Sequence, residues 1–408
     1  MALQTNRRIL KICKDSTISV VGAGTAGCFT ALYLADKFPD NKITWVVKSL
    51  TNNIGVGEAT VPVVQEFLTD LGYDIQYIMR FCSGTVKLGV KFINFSDKVF
   101  WHPFGNDKSE REELLYICRK NKIPANLLEY PDIATHFDVS MLISNLYSNI
   151  SNRKNVNVVK SAMESDINIL CTGFEENRDF VPADKIINNQ AIIYRCPVVN
   201  DNDLVPYTTC TGREYGWSWK IPLGNAITYG YVNDGNPKAI DEFKNCLKKE
   251  NINISSIKPR VLNFKCGRLN QHMTEQNGKI YCRVGLSSCF LEPMEATGLY
   301  FIVNSIRTLG DFLLGSIDIS SFNEIINNDF DSIYNFIVAH YTRSENSNYY
   351  WSKQKTHNYT KMTNNLFPDS SWDYILSGLK HGTPDTIPRG NILNIATGSK
   401  YHEWVQGI

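Results

Sequence analysis

The segment between Thr17 and Val47 restricts the possible folds of this chain more than any other part of it. A short β-branched strand, Thr17–Val21, runs directly into the glycine-rich turn GAGTAG, Gly22–Gly27. Apolar residues near helical spacing then predict a helix over about Cys28–Phe38, and ITWVV predicts a second strand over Ile43–Val47. Such a turn between the strand and helix of a βαβ unit is typical of dinucleotide-binding sites. We therefore expect an α/β fold with a Rossmann-like βαβ module near the N-terminus.

The three glycines of this turn have separate roles in such a site. Gly22 makes the tight turn, Gly24 lets the backbone approach a pyrophosphate, and Gly27 lets the helix pack closely on the strand. Unpaired N–H groups at the start of the helix would bind phosphate. The alternative is a purely structural glycine turn, and the matching context argues against it. Lys48 and Ser49 end the second strand where a ribose-binding acid usually sits, which argues against a plain NAD site.

Length and charge exclude several classes of protein. A chain of 408 residues is too long for one simple core and predicts two structural units. With 42 basic and 41 acidic residues, its net charge of +1 favours neither nucleic acid nor an anionic membrane. No run reaches the roughly 18 apolar residues of a membrane span. The eleven cysteines contain no CxxC pair and the seven histidines are scattered, so we expect reduced thiols, no metal site and a cytoplasmic protein.

The segment GVGEATVPVVQEFL, Gly55–Leu68, predicts a glycine-rich strap that leads into a helix. Glu58, Thr60 and Pro62 lie at the start of that helix. One interpretation is an ordinary capped helix N-terminus. The other is a loop that lies along a cofactor.

Polar and apolar residues alternate in VKLGVKFINF, Val86–Phe95, which predicts a single strand. Lys87, Gly89 and Lys91 would then share one face. Two lysines on one strand face usually point to solvent. If that face were enclosed, one lysine would be a functional candidate, because a buried ammonium group needs a partner or a use.

An aromatic cluster, FWHPFG, follows at Phe100–Gly105 around His102. Core packing explains it most simply. The functional alternative is a slot for a flat ring.

The segment GWSWKIP, Gly216–Pro222, predicts a strand that ends at Pro222, because proline has no ladder donor. Its alternation places Trp217 and Trp219 on one face. The simpler interpretation is a half-buried edge strand with two core tryptophans. The functional interpretation is a stiff aromatic wall between two compartments.

The remaining segments give a coarser prediction. Residues 106–135 read as surface loops and short helices, and the C-terminal part as helical and rich in aromatic residues. The other predicted elements are a helix over His136–Ile150, strands over Val156–Val159, Ile167–Phe174, Val205–Tyr207 and Ile227–Val232, and a helix over Asp241–Lys249.

A strand, a loop and a long helix are predicted over Ile280–Leu309. Glu292 and Glu295 lie just before the helix, and the amides of Thr297 and Gly298 open it, where they could hold an anion. Glu295 is equally well explained as a cap that the helix dipole favours.

The order of these motifs resembles that of flavin-dependent halogenases of the tryptophan-halogenase type, from about Val20 to Trp351. The motifs are GAGTAG, GVGEATVP, VKLGVKF, WHPFG, HFD, CTGF, GWSWKIP, SSCFLEPMEATG and AHY…NYYW. The heptapeptide matches the family's WxWxIP signature at every fixed position. The resemblance implies an FAD-binding module of the PHBH-like class with an added antiparallel sheet. This module would cover residues 1–315, with a substrate-side insertion at about 96–150, and the mostly helical residues 316–408 would pack against it as one unit.

The resemblance also implies roles for individual residues. Lys87 aligns with the lysine that activates the halogen, and Glu295 with the glutamate that assists the reaction at the aromatic ring. Thr297 and Gly298 align with the halide site. The implied cofactor-binding residues are Gly22, Gly24, Thr25, Ala26, Gly27, Lys48, Ala59, Leu286 and Leu299. The implied substrate-side and barrier residues are His102, Phe104, Trp217, Trp219 and Phe367.

The implied reaction uses FAD in its reduced form, O2 and a halide ion to produce hypohalous acid. A separate flavin reductase would supply the reduced FAD, since this chain has no evident NAD site. The other partner would be a small aromatic substrate. Neither nucleic acid nor a membrane is expected, and a homo-oligomer is compatible with the sequence.

Two departures from the tryptophan halogenases bear on specificity. Ala296 follows Glu295 where those enzymes typically have serine, and Phe367 stands where a tryptophan would cover the indole. The segment after WHPFG and the C-terminal part also look shorter. We therefore expect a more open pocket for indoles, phenols and anilines, with chloride, bromide or iodide as the halide.

Two alternatives remain open on the sequence. A flavin-dependent aromatic hydroxylase would share the fold but has no use for Lys87 or the tryptophan wall. A catalytically inactive FAD-binding protein would have no reason to carry both Lys87 and Glu295.

Overall fold

Strands and helices alternate along most of this chain, whereas the segment after residue 297 is mainly helical. The computed structural model describes residues 12–49, 57–105, 107–124, 132–161, 164–175, 179–383 and 395–397. The helices of these residues are α1 (Thr25–Lys37), α2 (Pro62–Asp70), α3 (Ile75–Phe81), α4 (Lys108–Arg119), α5 (Val139–Ser151), α6 (Ala239–Lys249), α7 (Thr297–Leu313), α8 (Ile319–Thr342), α9 (Tyr349–Gln354) and α10 (Asp369–His381).

The strands of the described residues form five sheets. They are β1 (Ile18–Val21), β2 (Ile43–Val46), β3 (Glu58–Ala59), β4 (Thr85–Lys87), β5 (Gly89–Ile93), β6 (Phe100–Pro103), β7 (Lys122–Pro124), β8 (Ala134–Phe137), β9 (Val156–Val159), β10 (Ile167–Leu170), β11 (Phe180–Pro182), β12 (Gln190–Pro197), β13 (Thr208–Gly212), β14 (Gly216–Pro222), β15 (Ala226–Asn233), β16 (Arg260–Asn263), β17 (Gly267–Leu269), β18 (Met273–Gln276), β19 (Lys279–Arg283), β20 (Cys289–Phe290) and β21 (Ile395–Thr397).

A six-stranded sheet in the order β18-β19-β10-β1-β2-β9 contains the predicted βαβ unit. Its pairs are parallel except at the edge, where β18 runs antiparallel to β19. Ile18 pairs with both Ile43 and Ile167 and all three are buried, as expected of parallel strands covered on both faces. Helix α1 begins at Thr25, three residues before the predicted start. The end of the glycine turn therefore forms the first turn of the helix.

A seven-stranded sheet in the order β16-β12-β15-β14-β13-β5-β6 forms the second layer. Trp217 and Trp219 of β14 belong to the main core. Tyr229 and Tyr231 of β15 instead pack with Phe243 of α6 in a smaller core on the other side of the sheet. The sheet thus has apolar packing on both faces.

The prediction that GWSWKIP forms an edge strand is wrong. Strand β14 lies between β13 and β15, and of its residues only Lys220 is not buried. The polar residues that suggested exposure have partners, because Lys220 binds Asp203 and Ser218 accepts a hydrogen bond from Arg213. Pro222 does end the strand, as predicted.

The prediction of one continuous strand over Val86–Phe95 is also wrong. The segment divides at Leu88 into β4, which pairs with β8, and β5, which pairs with β13. Lys87 and Lys91 therefore belong to different sheets rather than to one shared face. Lys87 is fully buried, and Lys91 is only partly buried over the Trp101 ring.

Three further boundaries differ from the predictions. Helix α5 begins only at Val139, because residues 136–137 pair in β8 and Asp138 caps the helix. The region 106–135, predicted as surface loops and short helices, contains the twelve-residue amphipathic helix α4, whose polar composition conceals a buried apolar stripe. Residues 205–207 are not a strand; β13 starts at Thr208, directly after a segment that contains Pro206, which lacks an N–H donor.

The C-terminal helices pack beside β6, the edge strand of the second sheet. Helix α8 packs against α7, and α10 packs against α8 and β6. The division of the chain at residues 315 and 316 stays a prediction. Among the described residues, no helix combines the length and apolarity needed to cross a membrane.

Candidate active site

The glycine turn leaves space at the start of α1 that no other described residue fills. Gly22 has φ +125°, and a Cβ atom there would lie 2.3 Å from the Cys171 carbonyl oxygen. A Cβ atom on Gly27 would lie 2.1 Å from the Gly22 oxygen, so the helix packs directly on the turn. At Gly24, by contrast, a Cβ atom would meet nothing within 4 Å. Gly24 is also the N-cap residue of α1, without a side-chain cap for the first amides.

A cavity of about 770 Å3 extends from this turn towards the second sheet. Almost all of the predicted cofactor-binding residues line it, namely Gly22, Gly24, Thr25, Ala26, Lys48, Ala59, Leu286 and Leu299. Gly27 does not line it; its contact is with Gly22. The same cavity is also lined by Lys87, Trp217, Trp219, Glu295 and Gly298. One continuous space therefore connects the glycine turn with both predicted catalytic residues.

Lys87, at the end of β4, is completely buried. Its Nζ donates a hydrogen bond of 2.7 Å to the backbone oxygen of Thr60 and lies 5.1 Å from the centre of the Phe104 ring. Burial lowers the pKa of Lys87 to about 8, although the nearby Glu295 carboxylate opposes that shift. Near neutral pH, a small fraction of this side chain is therefore an uncharged amine.

Glu295 lies on a strained turn just before α7. It has φ +62°, and the next residue, Ala296, has φ +59°, so two successive residues with side chains adopt the left-handed conformation. Such residues cost on the order of 1–3 kcal/mol each and cluster at functional sites. The turn directs a carboxylate that is only 3% exposed towards the cavity that Lys87 also lines.

Two histidines hold the Glu295 carboxylate. Nδ1 of His102 lies 3.0 Å from each of its oxygens, and Nε2 of His340 lies 3.1 Å from Oε1. Burial alone would raise the pKa of Glu295, but attraction to His102 and hydrogen bonds from both imidazoles hold it well below its usual range. The carboxyl group is thus ionised although it is buried.

Sequence reasoning found His102 but missed His340. His340 stands in the AHY motif near the end of α8, 45 positions from Glu295. The only sequence signal for it was its place in that motif, which carried no role. Thr60, whose backbone oxygen accepts the hydrogen bond from Lys87, has no sequence signal beyond its place at the start of a predicted helix.

The first residues of α7 are the ones predicted to bind an anion, and this role stays a prediction. Thr297 is fully buried, and its Oγ1 has no hydrogen-bond partner among the described residues. Next to it, Gly298 has nothing within 4 Å of a Cβ position and lines the cavity. Amides at a helix N-terminus carry partial positive charge, so this position suits an anion.

The two tryptophans of β14 lie side by side on one cavity wall, with ring centres 6.0 Å apart. Strand β15 has Gly230 opposite Trp219, where any Cβ atom would come within 2.0 Å of the indole. The glycine therefore makes room for the ring.

The other predicted substrate-side residues do not line this cavity: His102 contacts Glu295, and the Phe104 ring lies beside the Lys87 ammonium group. Phe367 is buried, its ring stacks on Phe336 at 4.0 Å, and it lies 6.0 Å from the His102 ring. No group of three or more His, Cys, Asp or Glu side chains within the described ranges is arranged to bind a metal ion. The arrangement offers a buried amine, an ionised carboxylate and the start of a helix around one cavity.

Comparison with known proteins places these features in a family. The family model described as tryptophan halogenase matches residues 17–130 and 160–387. The tryptophan 6-halogenase ThaL of Streptomyces albogriseolus is 27% identical over 406 residues, covering 80% of this chain and 76% of that protein. The 7-chloro-L-tryptophan 6-halogenase KtzR of Kutzneria sp. (strain 744) is 26% identical over 428 residues, with coverage of 83% and 81%.

A solved structure shows the same fold. The crystal structure of the tryptophan 6-halogenase SttH from Streptomyces toxytricini matches with a TM-score of 0.79 at 24% identity, covering 96% of this chain and 95% of that chain.

Proposed function

Since this chain belongs to the tryptophan halogenase family of flavin-dependent enzymes, we propose that it halogenates electron-rich aromatic substrates with Lys87 and Glu295 as its catalytic residues. One observation carries the assignment of these two residues. Both are buried, and both line the cavity that begins at the glycine turn. A buried lysine and a buried carboxylate at one cavity are costly to maintain without a use.

The residues at the glycine turn fit FAD. The open space beside Gly24 and the uncapped start of α1 suit a pyrophosphate. Lys48 is exposed at the cavity mouth, while Ala59, Leu286 and Leu299 would contact the rest of the cofactor. When bound, reduced FAD would supply, with O2, the oxidising equivalent that converts a halide ion into hypohalous acid.

The halide would bind at the start of α7. Its ligands would be the amides of Thr297 and Gly298, with the unpartnered Thr297 hydroxyl as a further donor. Ala296 adds no hydroxyl at this point, so the backbone carries the site.

Lys87 would receive the hypohalous acid. Its pKa of about 8 leaves enough uncharged amine to form a haloamine, with water as the second product, while the ammonium form could instead direct the acid by a hydrogen bond. The Thr60 carbonyl fixes the nitrogen position in either case.

Glu295 would act on the aromatic ring. Its carboxylate can stabilise the cationic ring intermediate and then accept the ring proton. A carboxylate of low basicity suffices, because such a ring cation is a strong acid.

The substrate would lie on the side of Lys87 and Glu295 that faces His102, Phe104 and Phe367. The wall of Trp217 and Trp219 would keep it away from the flavin. With Phe367 in place of tryptophan, we propose indoles, phenols and anilines as substrates, with chloride, bromide or iodide as the halide. A separate flavin reductase would supply reduced FAD.

One experiment tests the function. The protein, chemically reduced FAD, O2 and each halide in turn are incubated with a mixed library of indoles, phenols and anilines, and products are identified by mass. Halogenated products that require both the halide and the protein are expected. Products that gain only oxygen in the absence of halide would indicate an aromatic hydroxylase instead, and activity confined to tryptophan would contradict the broad substrate range.

A further inference from the structure

The atoms around His340 determine which of its two ring nitrogens carry a hydrogen. The side chain is fully buried between the rings of Phe92 and Phe336, at centre distances of 5.3 and 5.0 Å. Its Nδ1 lies 2.8 Å from the Phe336 backbone oxygen, and its Nε2 lies 3.1 Å from Oε1 of Glu295. Both nitrogens therefore face oxygen atoms.

A carbonyl oxygen can only accept a hydrogen bond, so Nδ1 of His340 must carry a hydrogen. A neutral imidazole would then present the bare lone pair of Nε2 to a carboxylate oxygen of Glu295. Two lone pairs in contact repel each other, particularly in a buried site of low dielectric constant. One additional proton must lie between Nε2 and Oε1.

We infer that His340 is a positioning residue for the halogenation site: it is a buried imidazolium that keeps Glu295 ionised and fixes its orientation. This inference deepens the proposed function, because the carboxylate it controls is the one that would act on the aromatic ring. It adds a residue that touches neither the substrate nor the cofactor.

His102 completes the clamp as a hydrogen-bond donor that is uncharged near neutral pH; it carries a charge that attracts Glu295 only in more acidic solution. Its Nδ1 lies at equal distances from both oxygens of Glu295, which fits a single N–H donor shared between them. Burial lowers the pKa of His102, so this imidazole is neutral near pH 7. One cation, His340, then balances one anion, Glu295, which avoids a net charge within the clamp.

Other charged groups act on this pair from the surrounding elements, and none replaces His340. Lys87 on β4 attracts the Glu295 carboxylate, and Arg111 on α4 disfavours a charge on His102. The remaining titratable groups around the pair are Cys210 on β13, whose pKa is raised well above its ordinary value by burial, and Glu292 on the same loop as Glu295. Around the His340 ring itself, the aromatic neighbours carry no charge.

Nuclear magnetic resonance of 15N-histidine-labelled protein tests the proton assignment directly. The full chain with oxidised FAD contains seven histidines, and at pH 8 an unpaired imidazole is neutral. We expect one imidazolium signal at pH 8, which disappears in His340→Gln. In Glu295→Gln the same ring should become neutral with its hydrogen on Nδ1. A wild-type His340 that is neutral at pH 8 would overturn the inference.

Kinetics provides the second measurement. In His340→Gln the amide can still donate to Glu295 but brings no charge, so the pKa of Glu295 rises. The acid limb of the kcat profile should shift to higher pH by at least about one unit, so that kcat at a fixed pH on this limb falls at least about tenfold. KM for the aromatic substrate should stay constant. His272→Gln, which replaces a buried histidine bonded to Ser288, is the matched control and should leave the kcat profile unchanged. An unchanged kcat profile in His340→Gln would contradict the positioning role.

The two hypotheses fail in different ways. A wild-type protein that shows the imidazolium signal but makes no halogenated product would contradict the proposed function and leave the pair intact. A protein that halogenates but has a neutral His340 would contradict only this inference.

Discussion

The glycine turn and the Lys87–Glu295 site line one cavity, and the chain builds them in opposite ways. The turn comes from one short segment, in which β1, Gly22–Gly27 and α1 follow each other directly. The other site combines β4, β6, the loop before α7 and the end of α8. The hydrogen bond between His102 and Glu295 alone joins positions 193 residues apart.

This difference determines how each of the two sites responds to a substitution. At the turn, geometry depends on neighbouring backbone atoms, so the fit of each glycine can be tested one residue at a time. At the Lys87–Glu295 site, the charge state of each side chain depends on residues of other helices and strands. A substitution at the Lys87–Glu295 site should change the reaction rate while the glycine turn keeps its structure.

The variant Lys87→Met should separate FAD binding from halogenation most clearly. Methionine nearly fills the volume of lysine without its nitrogen, so we expect FAD affinity to stay unchanged and halogenation to fall by at least about 1000-fold. FAD titration and product formation measure the two effects. Lys91→Met is the matched control, since Lys91 contacts Trp101 and Tyr207 and does not line the cavity. Wild-type halogenation by Lys87→Met would remove the central assignment.

Two alanine substitutions at the glycine turn should affect different properties of the protein, one its stability and the other its FAD affinity. In Gly27→Ala the new methyl group meets the Gly22 backbone oxygen, so we expect a loss of about 3 kcal/mol in the free energy of unfolding. In Gly24→Ala the methyl group meets no protein atom, and φ of −76° suits alanine. Its stability should stay constant while FAD affinity falls at least about tenfold, because the methyl group would occupy the proposed phosphate position.

Urea unfolding without FAD and a fluorescence titration with FAD distinguish these outcomes. If Gly24→Ala bound FAD as the wild type does, the phosphate site would have to lie elsewhere.

The same contrast explains what the sequence could predict. The βαβ unit follows from local periodicity, and the family resemblance, which rests on contiguous motifs, is confirmed by the family model. The interior position of β14 depends on strand partners from elsewhere in the chain, and the division at Leu88 depends on two different sheets. The pairing of His340 with Glu295 likewise has no local signal.

Two carboxyl groups three positions apart show this limit most directly. His102 and His340 hold the pKa of Glu295 well below its usual range, whereas burial raises the pKa of Glu292 to about 7. Both carboxyl groups are buried. Their opposite behaviour comes from their partners, since Glu292 receives its hydrogen bonds from neutral groups such as Asn188 and Tyr341.

The variant Glu292→Gln tests this contrast through stability, with the smallest expected effect. The pKa of Glu292 is about 7 in the folded protein and about 4.3 in the unfolded chain. The stabilisation from the bound proton is therefore complete below pH 4 and is lost as the pH rises through 7. Glutamine cannot lose a proton, so relative to the variant the wild type should lose about 2.5 kcal/mol between pH 5 and pH 8.

Urea unfolding of both proteins at several pH values measures this difference, and groups common to both cancel. The glutamine amide also places a donor next to Asn188 or Tyr341, which lowers the stability of the variant by a constant amount. The slope against pH, rather than the offset, therefore reports the titration of Glu292. A difference that does not change between pH 5 and pH 8 would mean that Glu292 is ionised throughout, and that the two carboxyl groups of this loop behave alike.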